Sequence, residues 1–271
     1  MANRSASIGL TLSAGRLCSL CSWRPGLAVP CRQRGTGRGR PVSKKVPRKW
    51  YTMAMRLLFI RHGEADYGHD CLTAKGRMQA ADLAERLAGE DISAIYSSPN
   101  GRALETAAFT AKRLGLAVTR GWFLREIMWG GPGVPCNGEP WQLGRMMLEE
   151  GFDLRCEDWR RHPYFENNPA TECCRVLSED LDAFLSEHGC RHDGRRFFCD
   201  TGSDETLALF GHGASNECLL AHILDLPFPY VSYVMQHEPA SLSEVVIPVE
   251  KGSFVFPKLA LFNDCSHLRK E

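Results

Sequence analysis

The run Leu57-Leu58-Phe59-Ile60, followed at once by Arg61-His62-Gly63-Glu64, constrains this chain more than any other segment. Four consecutive apolar residues in an extended strand put apolar groups on both of its faces, so both faces must be covered, as in a parallel sheet wrapped by helices. A strand ending in an arginine, a histidine and a glycine delivers those groups to one edge of the sheet. Chemistry is expected at that C-terminal end.

The following segments repeat the theme. Thr73 is placed to cap a helix whose apolar residues recur at helical spacing from Met78 to Leu87. Ile92 to Tyr96 reads as a second strand, and Arg102 to Leu114 as a second helix stopped by Gly115. Two successive strand-then-helix units predict a three-layer α/β/α sandwich around a mostly parallel central sheet. Ala117-Val118 begins a third strand, and regularity then fades between about residues 121 and 168. That stretch holds Trp122, Trp129, Trp141 and Trp159 and the break Gly130-Gly131-Pro132-Gly133. An aromatic, Gly/Pro-rich insertion between sheet elements is expected to form a lid over a site, the alternative being a satellite hydrophobic cluster under a long loop. Further on, Glu172 to His188 reads as a helix, Leu207 to Phe210 as a buried strand, Asn216 to Leu224 as a helix, and Ser243–Val249 and Phe254–Leu261 as two closing strands.

Charge separates the chain into two parts. Residues 1–50 carry 11 of the 33 basic residues and no acid, leaving 22 basic residues against all 32 acidic ones, a formal −10, in residues 51–271. The first 54 residues are expected to form a disordered basic extension, ahead of one domain over residues 55–271. Three origins compete for it: an organelle transit segment, a loose RNA-binding Gly/Arg tract, or a misassigned start upstream of Met53 or Met55. No apolar stretch approaches the ~18 residues of a membrane span. The 12 cysteines lack metal-ligand spacing, Cys18-x-x-Cys21 having only Cys31 nearby and no histidine, so reduced thiols in a cytoplasmic protein are expected.

Arg61 and His62 follow the first strand, Arg102 opens the helix after the second, and His212 follows the strand at 207–210. Ligands of open parallel sheets bind outside the carboxyl ends of the strands, so these four side chains are expected to converge although about 150 residues separate the first from the last. Two guanidinium forks and two imidazoles suit a tetrahedral dianion, and neighbouring cations favour a neutral His62 able to attack phosphorus. Arginine neutralisation makes a metal or cofactor unnecessary, and none is expected. Taken singly, Arg102 could instead cap an exposed helix and His212 could be a satisfied core histidine.

The blocks Leu57–Glu64, Leu72-Thr73 with Gly76-Arg77 and Gln79-Ala80, Ser97-Ser98-Pro99 with Arg102-Ala103 and Thr106-Ala107, and Phe210-Gly211-His212-Gly213 resemble, in order, the signature of the histidine phosphatase superfamily, in its phosphoglycerate-mutase-like branch. The resemblance implies that His62 becomes phosphorylated, that Arg61, Arg102 and His212 hold the phosphoryl group, and that Glu126, in Leu124-Arg125-Glu126, protonates the leaving oxygen. A solvated surface carboxylate is the alternative for Glu126. The other branch places Asp directly after the second histidine, where Gly213 and Ala214 stand here. Ala65-Asp66-Tyr67 also departs from the family's usual Thr after the first block.

The expected activity is therefore metal-independent hydrolysis of a small phosphorylated metabolite through a phosphohistidine. Phosphoglycerate-mutase-type transfer and a non-catalytic phosphate-binding scaffold are the alternatives. The expected partner is the small substrate, with no membrane and no specific nucleic acid; a homodimer is compatible with the sequence.

Overall fold

A computed structural model describes residues 53–199 and 204–269. The basic extension and its three proposed origins lie outside the described residues, apart from Met53 and Ala54. Ala54 already belongs to the first strand, one residue before the expected boundary.

The elements follow in chain order. Strand β1 spans Ala54–Arg61, and a small pair, β2 (Ala65–Asp66) and β3 (Cys71–Leu72), leads into helix α1 (Ala74–Leu87). Then come β4 (Ala94–Ser97), α2 (Gly101–Leu114) and β5 (Val118–Arg120). The insertion contributes α3 (Pro140–Glu149) and α4 (Pro163–Glu166) before the long α5 (Pro169–Glu187). The chain continues through β6 (Cys190–Asp193), β7 (Arg196–Cys199), β8 (Thr206–Gly211), α6 (Gly213–Ile223), α7 (Phe228–Val234), β9 (Leu242–Pro248), β10 (Phe254–Val255) and β11 (Lys258–Asp264).

The main sheet has the order β11-β9-β1-β8-β4-β5. β1, β8, β4 and β5 are mutually parallel, and β9 joins β1 antiparallel. The period-2 alternation of β1 explains the three layers: Leu57 and Phe59 pack into the core shared with α3, α5, α6 and α7, whereas Leu58 and Ile60 pack with Leu83 and Leu87 of α1 and Ala107 of α2. Both faces are therefore covered, as the uninterrupted apolar run requires. Arg56 is accommodated by ion pairs to Glu244 (2.6 Å) and Glu90 (2.9 Å).

The helix punctuation holds. Thr73 accepts from Gly76 N–H at the start of α1, and Gly115 ends α2 with φ of 71°. Three expectations change. The strand expected over Phe254–Leu261 is two, β10 pairing with β7 in a separate three-stranded sheet and β11 with β9 in the main one. The segment 121–168 carries its own helices, and its Phe123, Leu124, Ile127, Leu143, Met147, Trp159 and Phe165 belong to the main core rather than to a satellite cluster. Cys190 and Cys199 are not reduced thiols: antiparallel pairing of β6 with β7 sets them opposite each other, Cα atoms 4.3 Å apart, and they form a disulfide. Among the described residues no helix is long and apolar enough to cross a membrane.

Candidate active site

Register brings the sequence-distant residues together. β1 and β8 run parallel with Arg61 paired to Gly211, so His62 and His212 leave adjacent strands at the same level, their ring centroids 5.1 Å apart. The backbone holds this edge closed: His62 N–H donates to Gly211 C=O at 3.0 Å, and Ser98 N–H, just past β4, donates to Phe210 C=O at 2.8 Å. Arg102 then enters from the first turn of α2.

His62 is buried, and its Nδ1–H donates to the Gly63 carbonyl at 2.7 Å, which leaves the Nε2 lone pair as an acceptor. Arg102 Nε–H donates to that Nε2 at 3.2 Å. Burial, with Arg102 and Arg61 adding to it, lowers the His62 pKa to about 4, so the ring is neutral at physiological pH. Desolvation is thus the leading cause, ahead of the cationic neighbours on which the sequence argument relied.

Asp70 positions Arg102. Its Oδ1 accepts from Arg102 Nη1 at 2.5 Å while its Oδ2 accepts from Gly101 N–H at 2.6 Å, so one carboxylate holds both the helix start and the guanidinium. The Tyr67 ring lies 5.3 Å from the guanidinium carbon. A Cβ at Gly101 would collide with the Asp70 carbonyl oxygen, which is why the loop can lie so close to α2.

Arg61 Nη1 donates to the His237 carbonyl, and its Nε is buried with no partner among the described residues. His212 Nε2 contacts Ser98 Oγ at 2.8 Å, and Ser98 Oγ donates to Asn100 Oδ1 at 2.9 Å. This chain of bonds puts the His212 proton on Nε2. Its Nδ1, buried and unpartnered among the described residues, lies 4.0 Å from Glu126 Oε2.

Glu126 joins the cluster, and its side chain is only 19% exposed, unlike a solvated surface carboxylate. Its Oε1 accepts from the N–H groups of Ile127 and Ser215, both at 3.1 Å, leaving Oε2 on the His212 side. Burial raises its pKa to about 7. Behind it Glu217, buried on α6, is raised to about 8 by desolvation and then by Glu126.

The structure therefore brings Arg61, His62, Arg102, Glu126 and His212 to one edge. Glu64 stays out of the cluster: its Oε1 accepts from Thr73 Oγ1 at 2.8 Å and its N–H donates to Gln79 Oε1 at 2.7 Å, tying the loop to α1. Gly63 is required by the close approach of α1, since a Cβ there would sit 2.7 Å from the Gly76 carbonyl oxygen. The sequence reading missed Asp70, His237 and Glu217. None lies in a recognisable motif; only the rarity of a buried Glu within the apolar run of α6 hinted at one of them.

Comparison with known proteins gives consistent relatives. The model of the histidine phosphatase superfamily, branch 1, matches residues 57–259. A probable phosphoglycerate mutase (GpmB) of Salmonella typhi is 28% identical over 186 residues, covering 64% of this chain and 76% of the relative. Among solved structures, a mycobacterial glucosyl-3-phosphoglycerate phosphatase in complex with inorganic phosphate is 25% identical with a TM-score of 0.53, covering 79% of this chain and 99% of that one. A mutant phosphoserine phosphatase of Entamoeba histolytica in complex with phosphoserine is 21% identical with a TM-score of 0.53, covering 79% and 100%, a likeness of fold.

Proposed function

The chain belongs to branch 1 of the histidine phosphatase superfamily, and we propose that within it the protein is a metal-independent phosphomonoesterase acting through a phosphohistidine. The observation that carries this reading is one pairing: His62, kept neutral, and Glu126, with a pKa of about 7, share a cluster with two arginines. A nucleophile must be deprotonated and a general acid protonated at the same pH, and these two environments push the groups in those directions.

In the proposed cycle, Arg61 and Arg102 hold the phosphoryl oxygens, and Arg102 Nε releases His62 Nε2 as the substrate arrives. Nε2 attacks phosphorus in line, the bond to the ester oxygen breaks, and the Glu126 carboxyl gives that oxygen its proton. The Nδ1–H bond to Gly63 stabilises the positive charge that develops on the ring. Water then attacks the phosphohistidine, Glu126 carboxylate takes its proton, and inorganic phosphate leaves. His212, with its proton on Nε2 toward Ser98, would hold the phosphoryl group through a second proton on Nδ1, which a bound dianion favours.

The segment 121–168 is proposed to act as the lid that selects the rest of the substrate, a small phosphorylated metabolite. A mutase reading is favoured by the Salmonella relatives, which are probable phosphoglycerate mutases. It predicts stimulation by a bisphosphorylated sugar acid and negligible transfer to water. The decisive experiment incubates the protein with labelled aryl phosphate in the presence of chelator, quenches it, and looks for label on His62. Turnover together with acid-labile label that His62→Ala abolishes supports the phosphatase. Phosphate binding without any phosphoenzyme sinks it in favour of a scaffold.

A further inference from the structure

Outside the phosphate pocket, three donors from three separate elements meet at one point. Asp182 comes from α5, His192 from β6 and His222 from the last turn of α6. His192 Nδ1 and His222 Nε2 lie 2.9 Å and 2.8 Å from the same oxygen, Asp182 Oδ1, and 3.2 Å from each other. Hydrogen bonding accounts for the two nitrogen-to-oxygen edges of this triangle. It does not account for the third, because two imidazoles that both donate to Asp182 gain nothing by bringing their nitrogens together.

A shared cation accounts for the close approach of the two nitrogens, with the two nitrogen-to-oxygen edges just under the right-angle separation. With bonds of about 2.1 Å, donors at right angles are separated by about 3.0 Å and tetrahedral donors by about 3.4 Å, which brackets the largest observed edge. The donors are also held in place. The His192 ring is stacked on Phe197, centroids 4.3 Å apart and planes within 5°, and its hairpin is closed by the Cys190–Cys199 disulfide two residues away. His222 also borders an open pocket of about 50 Å³ lined by Trp159, Arg160, Cys174, Ser178 and Cys218, large enough for a few water molecules.

We propose that Asp182, His192 and His222 bind a divalent transition-metal ion of the zinc type, which staples α5, the β6–β7 hairpin and α6 together. Two imidazoles and one carboxylate suit zinc and its first-row neighbours rather than magnesium or calcium, which prefer all-oxygen shells. The site lies about 15 Å along α6 from His212, at 1.5 Å per residue, so its role is structural and separate from phosphoryl transfer. The donors are 10 and 30 residues apart in sequence, which is why no ligand spacing announced them.

The test uses zinc itself on the full-length protein stripped with chelator. Calorimetric titration should find a zinc site that Asp182→Asn and His222→Gln each weaken by at least about 100-fold, ligand loss exceeding the 10- to 100-fold cost of losing a supporting contact. Zinc should raise the unfolding midpoint of the wild type and not of either variant, while aryl-phosphate turnover is the same with and without zinc. Cysteines elsewhere also attract zinc, and a variant could fail to fold, so the wild type provides a second readout. Zinc should shift the ring resonances of two of the nine histidines. Undiminished affinity in folded variants, no saturable binding, or binding that leaves every imidazole signal in place overturns the proposal.

Discussion

Arg102 Nε donates to His62 Nε2 across 3.2 Å, occupying the lone pair that attack on phosphorus would use. The guanidinium is meanwhile held by Asp70. In the proposed cycle substrate binding trades an arginine–imidazole bond for arginine–phosphoryl bonds while the tether to Asp70 keeps the guanidinium nearby. Arg102→Ala should lower kcat/KM for an aryl phosphate by about 10²- to 10³-fold, the range for removing one preorganised donor. Asp70→Asn should act more mildly, about 10-fold and mainly on KM, because it loosens the arginine without removing it. Steady-state kinetics on both variants check this. A loss in Asp70→Asn as large as in Arg102→Ala would mean that Asp70 itself touches the substrate.

The two shifted ionisations bound the pH profile. In the proposed cycle Glu126, near 7, is protonated to release the alcohol and His62, near 4, is neutral to attack, so kcat/KM should fall below about pH 4 and again above about pH 7. Glu126→Gln should remove the alkaline limb. Its cost should depend on the leaving group: about 10²- to 10⁴-fold on an alkyl phosphate, and much less on p-nitrophenyl phosphate, whose phenolate needs little help. Equal losses on both substrates would take Glu126 out of the general-acid role.

Much of this fold was legible because the sequence states it redundantly. The apolar run in β1 demanded two covered faces, Thr73 and Gly115 marked helix ends, and parallel strand order alone implied that Arg61, His62, Arg102 and His212 would meet. What could not be read depends on contacts with no local signature. Asp70 reaches Arg102 from a two-stranded turn, Glu217 is an acid in an apolar helix, and Cys190 meets Cys199 only once a hairpin forms whose strands are four residues each. The Phe254–Leu261 segment was misread for a different reason. Its apolar residues suit a strand on either side of Pro257, and it is around this proline, which has no N–H to give a ladder, that the chain changes sheet between Val255 and Lys258.

Trp129 and Trp141 pack edge to face, ring centroids 5.2 Å apart, and both lie partly buried against the main core. If segment 121–168 selects the substrate, Trp141→Ala should change relative kcat/KM across a panel of phosphorylated metabolites by more than it changes aryl-phosphate hydrolysis. Some loss of stability should accompany it, since the indole is part of the packing. A uniform fall across every substrate, in a protein with an unchanged unfolding midpoint, would remove the segment from substrate selection.

Glu217 should make the stability of the protein pH-dependent in a direction opposite to that of an ordinary carboxylate. Its pKa is raised to about 8, by burial first and Glu126 second, so the folded state holds its proton more tightly than the unfolded chain does. The stabilisation this brings is complete below the unfolded value near 4.3 and is lost as pH rises through about 8. Glu126 adds a similar loss through about 7. On the acid side His62, near 4, and His237, near 3, are held neutral by burial, so stability present above the unfolded histidine value near 6.5 is lost as pH falls toward those numbers. The thermal midpoint should therefore peak at mildly acidic pH and decline toward pH 9. Glu217→Gln keeps the shape of the side chain and cannot ionise, so it should flatten the alkaline decline and raise the midpoint at pH 8 to 9 relative to wild type. Calorimetric scans of both proteins from pH 5 to 9 decide it, and parallel curves would show that Glu217 stays charged in the folded protein.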